Sequence, residues 1–305
     1  MRVRVDLAYD GAGFSGWAAQ PGLRTVEGEL ASALGRVLRG PAPRLVVAGR
    51  TDAGVSARGQ VVHVDVPAAS WAALPGRHGG RSVPHGPADV LLRRLAGVLP
   101  DDLVVRGAAL APAGFDARFG ALRRRYAYRV VDDPAARDPL RRGEVLVVRR
   151  RLDVAAMARS AAPLLGEHDW LPYCRPREGA STVRTLLRLD WSRDADGVVV
   201  ADVEADAFCH HMVRSLVGAG LAVGDGRRDE GWPARVLAAG VRDPAVAVVP
   251  ARGLVLEEVV YPPDEELAER SRRTRAHRGA GPAGRGARVG GGPHRVAGSE
   301  HEHDT

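Results

Sequence analysis

Apolar positions along this chain recur at two spacings, every second residue in some stretches and every third or fourth in others, and the alternation predicts an ordered set of strands and helices. Val3, Val5, Leu7 and Tyr9 share one face of a strand from Arg2 to Tyr9. Val26, Leu30, Ala33, Leu34 and Val37 form one stripe of a helix from Thr25 to Leu38, with Thr25 placed to cap it. Arg44 to Ala48 reads as a short buried strand. In Gln60 to Val66 the side chains of Val62, Val64 and Val66 face one way. A helix from about Ala88 to Val98 and a strand from Asp102 to Ala109 complete the order βαββαβ, which predicts a ferredoxin-like unit with helices over one face of an antiparallel sheet.

From about Ala111 the plan repeats without repeating the sequence. Strands at Arg123 to Val131 and Val145 to Arg150 precede a helix from Asp153 to Leu165. Val183 to Trp191 pairs through the turn Asp194 to Gly197 with Val198 to Asp206. A helix from about Cys209 to Val223, a shorter one starting at Trp232 and Pro233, and a strand from Leu254 to Tyr261 follow. The expected fold class is therefore α+β: two ferredoxin-like α/β subdomains, residues 1–110 and 111–262, with antiparallel sheets that leave a cleft between them. Beyond Pro263 large apolar residues almost vanish, so residues 263–305 are expected to be a disordered Gly/Arg-rich tail.

Between the strands at Arg44 and Gln60 lies a polar loop in which Asp52 has Arg50 two residues before it and Gly49 and Gly54 on either side. Glycines let such a backbone turn sharply and a substrate approach closely, so Asp52 is the candidate for chemistry. An Asp in a glycine-containing turn more commonly caps its own backbone, and this motif alone does not choose between the two. The net charge of +7 over 305 residues suits an anionic partner such as nucleic acid. Lys, Ile and Asn are absent, however, which points to GC-rich coding and explains part of the arginine surplus. With Cys174 and Cys209 alone there is no disulfide framework, and no apolar run approaches the roughly 20 residues that span a bilayer, so a reducing, cytoplasmic location is expected. His78 and His85 read as loop residues, and His63, alternating with Asp65 away from the valines, as solvent-facing. His210 and His211 beside Cys209, with His168 and Cys174 elsewhere, raise a zinc site. The usual Cys/His spacing is missing, and neighbours on a helix diverge by about 100°, so no metal is expected.

The string GRTDAGVSARGQVVH, Gly49 to His63, resembles the signature of the tRNA pseudouridine synthase A family. YDGAGFSGWAAQPGLRTVEGEL from Tyr9, FDARFGALRRRYAYRV from Phe115, GEHDW from Gly166, TVRT from Thr182, FCHHMVRSLVGAGLAVGDGR from Phe208 and PARGLVLEEVVY from Pro250 resemble its other blocks, in the family's order, over residues 3 to 261. Ser56 stands where the family usually has His, and Ala18 where Gln is common. The resemblance implies an intramolecular isomerase that converts uridine to pseudouridine in the tRNA anticodon stem-loop, at tRNA positions 38 to 40. It also implies a homodimer spanned by one tRNA. Asp52 would be the catalytic carboxylate and Arg214 its partner. Tyr126 would stack on the uracil and be a candidate to remove its C5 proton, and Arg50 would enter the RNA and displace the target base, which is inaccessible while stacked. Arg123, Arg124 and Arg125 would hold the RNA backbone.

The isomerisation breaks the N1 to C1′ bond and joins C5 to C1′ with no redox step and no group donor. No cofactor is expected, in keeping with the absence of a P-loop, a dinucleotide fingerprint and a CxxC pair. A carboxylate can attack C1′ or C6, or remove the 2′ proton. Two other classes compete with this reading: a non-catalytic RNA-binding module on the same fold, and a metal hydrolase using Asp and His.

Overall fold

The computed structural model describes residues 1–74, 77–78, 81–82, 86–176, 179 and 181–279. Its first elements are β1 (Arg2–Tyr9), α1 (Val26–Leu38), β2 (Leu45–Val47), β3 (Ser56–Asp65), α2 (Ala68–Ala72), β4 (Arg77–His78), β5 (Arg81–Ser82), α3 (Pro87–Ala96) and β6 (Leu103–Leu110). There follow β7 (Arg123–Val131), β8 (Leu146–Val147), α4 (Val154–Ala161), β9 (Gly166–Asp169), β10 (Val183–Arg193), β11 (Val199–Ala205), α5 (Met212–Gly224), α6 (Trp232–Ala239), β12 (Leu254–Val260) and α7 (Leu267–Gly279).

Local chemistry explains many of the boundaries. The Thr25 hydroxyl accepts from Gly28 N at 3.3 Å and starts α1, and Asp153 Oδ1 accepts from Ala156 N at 2.9 Å and starts α4. Asp194 Oδ1 accepts from the amides of Asp196 and Val198, folding the turn that sets the β10–β11 register. Where the sequence predicts a strand from Val145 to Arg150, just Leu146–Val147 pair with β7. The helix expected from Cys209 begins three residues later, because His211 has φ 70° and interrupts the right-handed path.

A ten-stranded sheet runs in the order β6, β1, β3, β12, β7, β11, β10, β9, with β2 added to β3 and β8 to β7. β12 joins the strands of the two halves, pairing parallel to β3 through Val255 and Leu256 and antiparallel to β7 from Leu254 to Val260. The approach depends on a glycine: a Cβ at Gly59 would lie 2.3 Å from the Glu257 carbonyl oxygen. The pairing is mostly antiparallel and helices pack against the strands, as the α+β expectation requires.

Two expectations change. His63 is 3% exposed, and its Nδ1 accepts from Ala117 N at 3.0 Å while its ring meets Phe115 edge-on. Alternation reports which face of a strand a residue occupies, not whether that face is covered, and here Phe115 and Tyr261 cover it. The disorder expected from residue 263 does not hold for the described part of that segment. Residues 267–279 are helical, Leu267 is buried, Arg270 donates to Ala121 O, and Arg275 pairs with Asp116. One buried leucine and side-chain hydrogen bonds dock this segment, a pattern that composition does not register. Residues 280–305 and His85 lie outside the described residues, and for His78 only the backbone, in β4, is described.

Candidate active site

The loop from Gly49 to Val55 is held from beneath and from the side. Trp17 N donates to Thr51 O at 3.0 Å, and the Tyr9 and Thr51 hydroxyls share a bond of 2.8 Å. Gln60 Nε2 donates both to Tyr9 Oη and to Gly49 O. The neighbouring Gly16 adopts φ +91°, and a Cβ there would stand 3.1 Å from both Ala53 N and Thr51 O. This position therefore favours glycine. Ser56, at the end of the loop, accepts from Gly11 N at 3.0 Å. The buried Tyr9, Thr51 and Gln60 leave the loop backbone little freedom, and Asp52 stands at its tip with its side chain 27% exposed.

Facing it is the start of α5. The Arg214 Nη1 lies 3.4 Å from Asp52 Oδ2, while its Nε donates to Val249 O at 2.7 Å. The left-handed conformation of His211 brings two consecutive imidazoles onto the same carboxylate. His210 Nε2 is 3.3 Å from Oδ1 and His211 Nε2 is 3.7 Å from Oδ2, with the ring centres 4.0 Å apart. Burial, helped by His210, Arg214 and Arg175 and opposed by Asp52, holds His211 below its usual 6.5, so it is neutral at pH 7. Tyr126 is 7% exposed and meets Phe208 edge-to-face at 5.2 Å. Burial drives its phenol well above the ordinary tyrosine value, Tyr9 and Asp52 add to the rise, and Arg124 opposes it. It therefore stays protonated near neutrality.

These groups line one cavity of about 690 Å³. Tyr126 and Leu254 contribute from β7 and β12, residues 48–53 and 15–18 from one side, and residues 207–214 from the other. Of the residues singled out in the sequence, Asp52, Arg214, Tyr126, Arg50 and Arg124 meet here. Arg50 is exposed at the rim. Arg124 is 4% exposed and donates to the carbonyls of Asp206, Ala48 and Arg118, so its charge ties the loop-bearing segment to the second half of the chain. Arg123 and Arg125 are not brought to this cavity. They take the alternate face of β7 and pair with Glu204, and with Asp202 and Glu258.

Sequence reasoning passed over His210 and His211 because it placed both on a helix, where their side chains would diverge. The adjacent pair just ahead of the α5 stripe was the available signal. Arg118, Arg175 and Arg184 also line the cavity and were not singled out for it. His168 Nε2 donates to Leu165 O, outside this site, and Cys174 is buried apart from the Asp52, His210 and His211 group.

Residues 161–262 match a family model described as tRNA pseudouridine synthase. Over 278 residues the chain is 59% identical to a tRNA pseudouridine synthase A of Frankia casuarinae, covering 91% of this chain and 96% of that protein. It is 58% identical over 277 residues to the protein of that name from Streptomyces griseus (90% and 93%), and 47% identical over 277 residues to that from Mycobacterium leprae (90% and 94%).

Proposed function

The chain belongs to the tRNA pseudouridine synthase A family, and from that premise we propose that it isomerises uridine to pseudouridine in tRNA with Asp52 as the reacting carboxylate. The observation that carries this reading is the meeting of Asp52, on the loop before β3, with Arg214, in the first turn of α5. The guanidinium, fastened to Val249 O, holds the carboxylate oriented in the cleft.

In the reaction the N1 to C1′ bond breaks, the uracil turns within the site, C5 bonds to C1′, the C5 proton is lost to solvent, and N1 takes up a proton. Asp52 acts at the ribose or at C6. Tyr126, fixed by Phe208 in the cavity, supplies the flat surface against which the ring turns, with its hydroxyl protonated in the free protein. Arg50, exposed at the rim, fills the place of the extruded base, and Arg118, Arg175 and Arg184 contact phosphates. Arg124 acts from beneath as a positioning residue. Arg123 and Arg125 meet RNA only where it passes behind the sheet.

The target is the anticodon stem-loop, tRNA positions 38 to 40. Residues 1–110 and 111–262 work as two α/β subdomains that supply opposing walls, in a cytoplasmic homodimer spanned by one tRNA. Support for the target, the dimer and the compartment comes from the resemblance of the motifs. A module that merely bound phosphate would gain nothing from a carboxylate in its groove.

Asp52→Asn tests the reading, since it retains size and polarity and removes the reacting oxygen anion. Tritium release from C5-labelled uridine in a tRNA transcript is expected to stop while tRNA affinity at fixed salt is unchanged or slightly tighter. Continued turnover would mean that another carboxylate reacts. Wild-type protein that binds tRNA and releases no tritium would leave a binding module.

A further inference from the structure

Among the described residues, Asp52, His210 and His211 form a group with the composition and spacing of a transition-metal site: one donor atom from each, all within 4.8 Å of one another. Donors around a tetrahedral ion with bonds of about 2.0–2.1 Å stand roughly 3.3 Å apart. His210 Nε2 is already 3.3 Å from Asp52 Oδ1 and His211 Nε2 is 3.7 Å from Oδ2, and with the three donors within 4.8 Å of one another a turn of the side chains draws them onto one ion. The backbone prepares this arrangement. The positive φ of His211 turns its ring toward that of His210, and the Asp52 loop is anchored by Tyr9, Gln60 and Trp17. A fourth coordination position would open into the cavity of about 690 Å³.

Donor type decides which ion fits. Two imidazoles and one carboxylate suit Zn²⁺ or Co²⁺, whereas Mg²⁺, the natural companion of tRNA, takes oxygen ligands and keeps its waters. Arg214 decides how tightly it is held. Its guanidinium, 3.4 Å from Oδ2 and fastened to Val249 O, repels a dication and leaves Oδ1 as the side of approach. The ion is therefore exchangeable.

We propose that Asp52, His210 and His211 form an inhibitory site for a borderline transition-metal dication such as Zn²⁺, which caps Asp52 and excludes uridine from the cleft. No bond of the RNA changes; the ion occupies the carboxylate lone pair that the isomerisation uses. Inhibition rests on the reading of Asp52 as the reacting group, but binding of the ion does not.

The test uses the full chain stripped with EDTA, the chelator then being removed. Zn²⁺ is titrated calorimetrically into wild type, Asp52→Asn and the His210→Ala, His211→Ala double variant, with Co²⁺ absorption reporting nitrogen and oxygen donors. Wild type is expected to bind one equivalent more than either variant, and tRNA is expected to displace it. Pseudouridine formation should fall about tenfold when Zn²⁺ stands at about ten times its Kd, recover with EDTA, and ignore equimolar Mg²⁺. Equal stoichiometry and affinity in all three proteins would overturn the site and assign any zinc to other histidines. An extra equivalent that leaves turnover unchanged would overturn the inhibitory role. Stripped wild type that forms no pseudouridine would sink the isomerase reading instead, and the binding comparison would still decide the site.

Discussion

At the scale of single residues the candidate site depends on atoms that do two things at once. Arg214 donates through Nε to Val249 O and presents Nη1 to Asp52, a geometry that requires a planar fork. Arg214→Lys keeps the charge but cannot reach both partners, so turnover is expected to fall by about 10²-fold with melting temperature little changed. Near wild-type tritium release would take Arg214 out of the site. Gly16→Ala forces a Cβ against the Asp52 loop at φ +91° and is expected to cost about 1–3 kcal/mol in urea unfolding, with turnover lost as the loop shifts. His63 works through protonation. Burial, with Arg2 and then Arg275, holds it below 6.5 against the opposing pull of Asp116 and Asp65. Because the folded chain binds this proton less well than the unfolded chain, the stabilisation is whole above pH 6.5 and is lost as pH falls through the folded value. The melting temperature is expected to drop between pH 7 and 5, and His63→Gln, which keeps an acceptor for Ala117 N, is expected to flatten that part of the drop. An unchanged slope would show that other groups carry it. Asp52 was picked out in the sequence by its glycine-flanked loop, and Arg50, Arg214 and Tyr126 by the resemblance of their motifs. His210 and His211 were not, since a single positive φ cannot be read from residue type when the residue is not glycine.

At the scale of elements, α7 and the β7–β10 tie carry stability that composition does not reveal. Leu267 is 2% exposed, so cutting the chain after Pro263 removes about 1.5–3 kcal/mol of apolar burial, along with the bonds to Ala121, Gly114 and Asp116. A chain ending at Gly279 is expected to match the full chain in urea midpoint, and one ending at Pro263 to fall short. Equal midpoints for both would mean that the helix is held weakly. Asp132 follows β7 and accepts from both terminal nitrogens of Arg193 on β10 and from Leu152 N, with none of its carboxylate exposed. Burial pulls its acid strength down, but Arg193, the Leu152 amide and Arg151 outweigh it, so the carboxyl sits below its ordinary 3.8. Its contribution is therefore present above pH 3.8 and lost on further acidification. Asp132→Asn is expected to cost about 2–3 kcal/mol at pH 7 and less at pH 3. Helix stripes and caps were legible because they are set by neighbours three or four residues away. The edge strand β9 was not, for four residues carry too little pattern to distinguish a strand from a loop.

Across the whole molecule the arginines sort by partner rather than by number. Arg50, Arg118 and Arg175 are exposed around the cavity, whereas Arg123 and Arg125 sit behind the sheet against carboxylates. Replacing Arg118 and Arg175 by Ala is expected to reduce the slope of log affinity for tRNA against log salt by about 0.7–0.9 for each phosphate left without its arginine. The same change at Arg123 and Arg125 is expected to alter it less, and equal effects would place RNA on both faces of the sheet. The sequence by itself determined the order of the longer strands and helices up to β12, the glycine-flanked carboxylate between two valine-rich strands, and the arginine near the start of an apolar helix. Each of these is encoded within a few neighbouring residues, through period, caps and turn chemistry. Only the tertiary structure decided that Asp52 and Arg214, 162 residues apart, face each other, with two histidines from the Arg214 side on the same carboxylate. It also decided that His63 is covered, that Arg124 serves backbone carbonyls while its neighbours turn away, and that the segment after Pro263 docks. Burial and proximity depend on which second layer arrives from elsewhere in the chain, and a local pattern holds no record of that arrival.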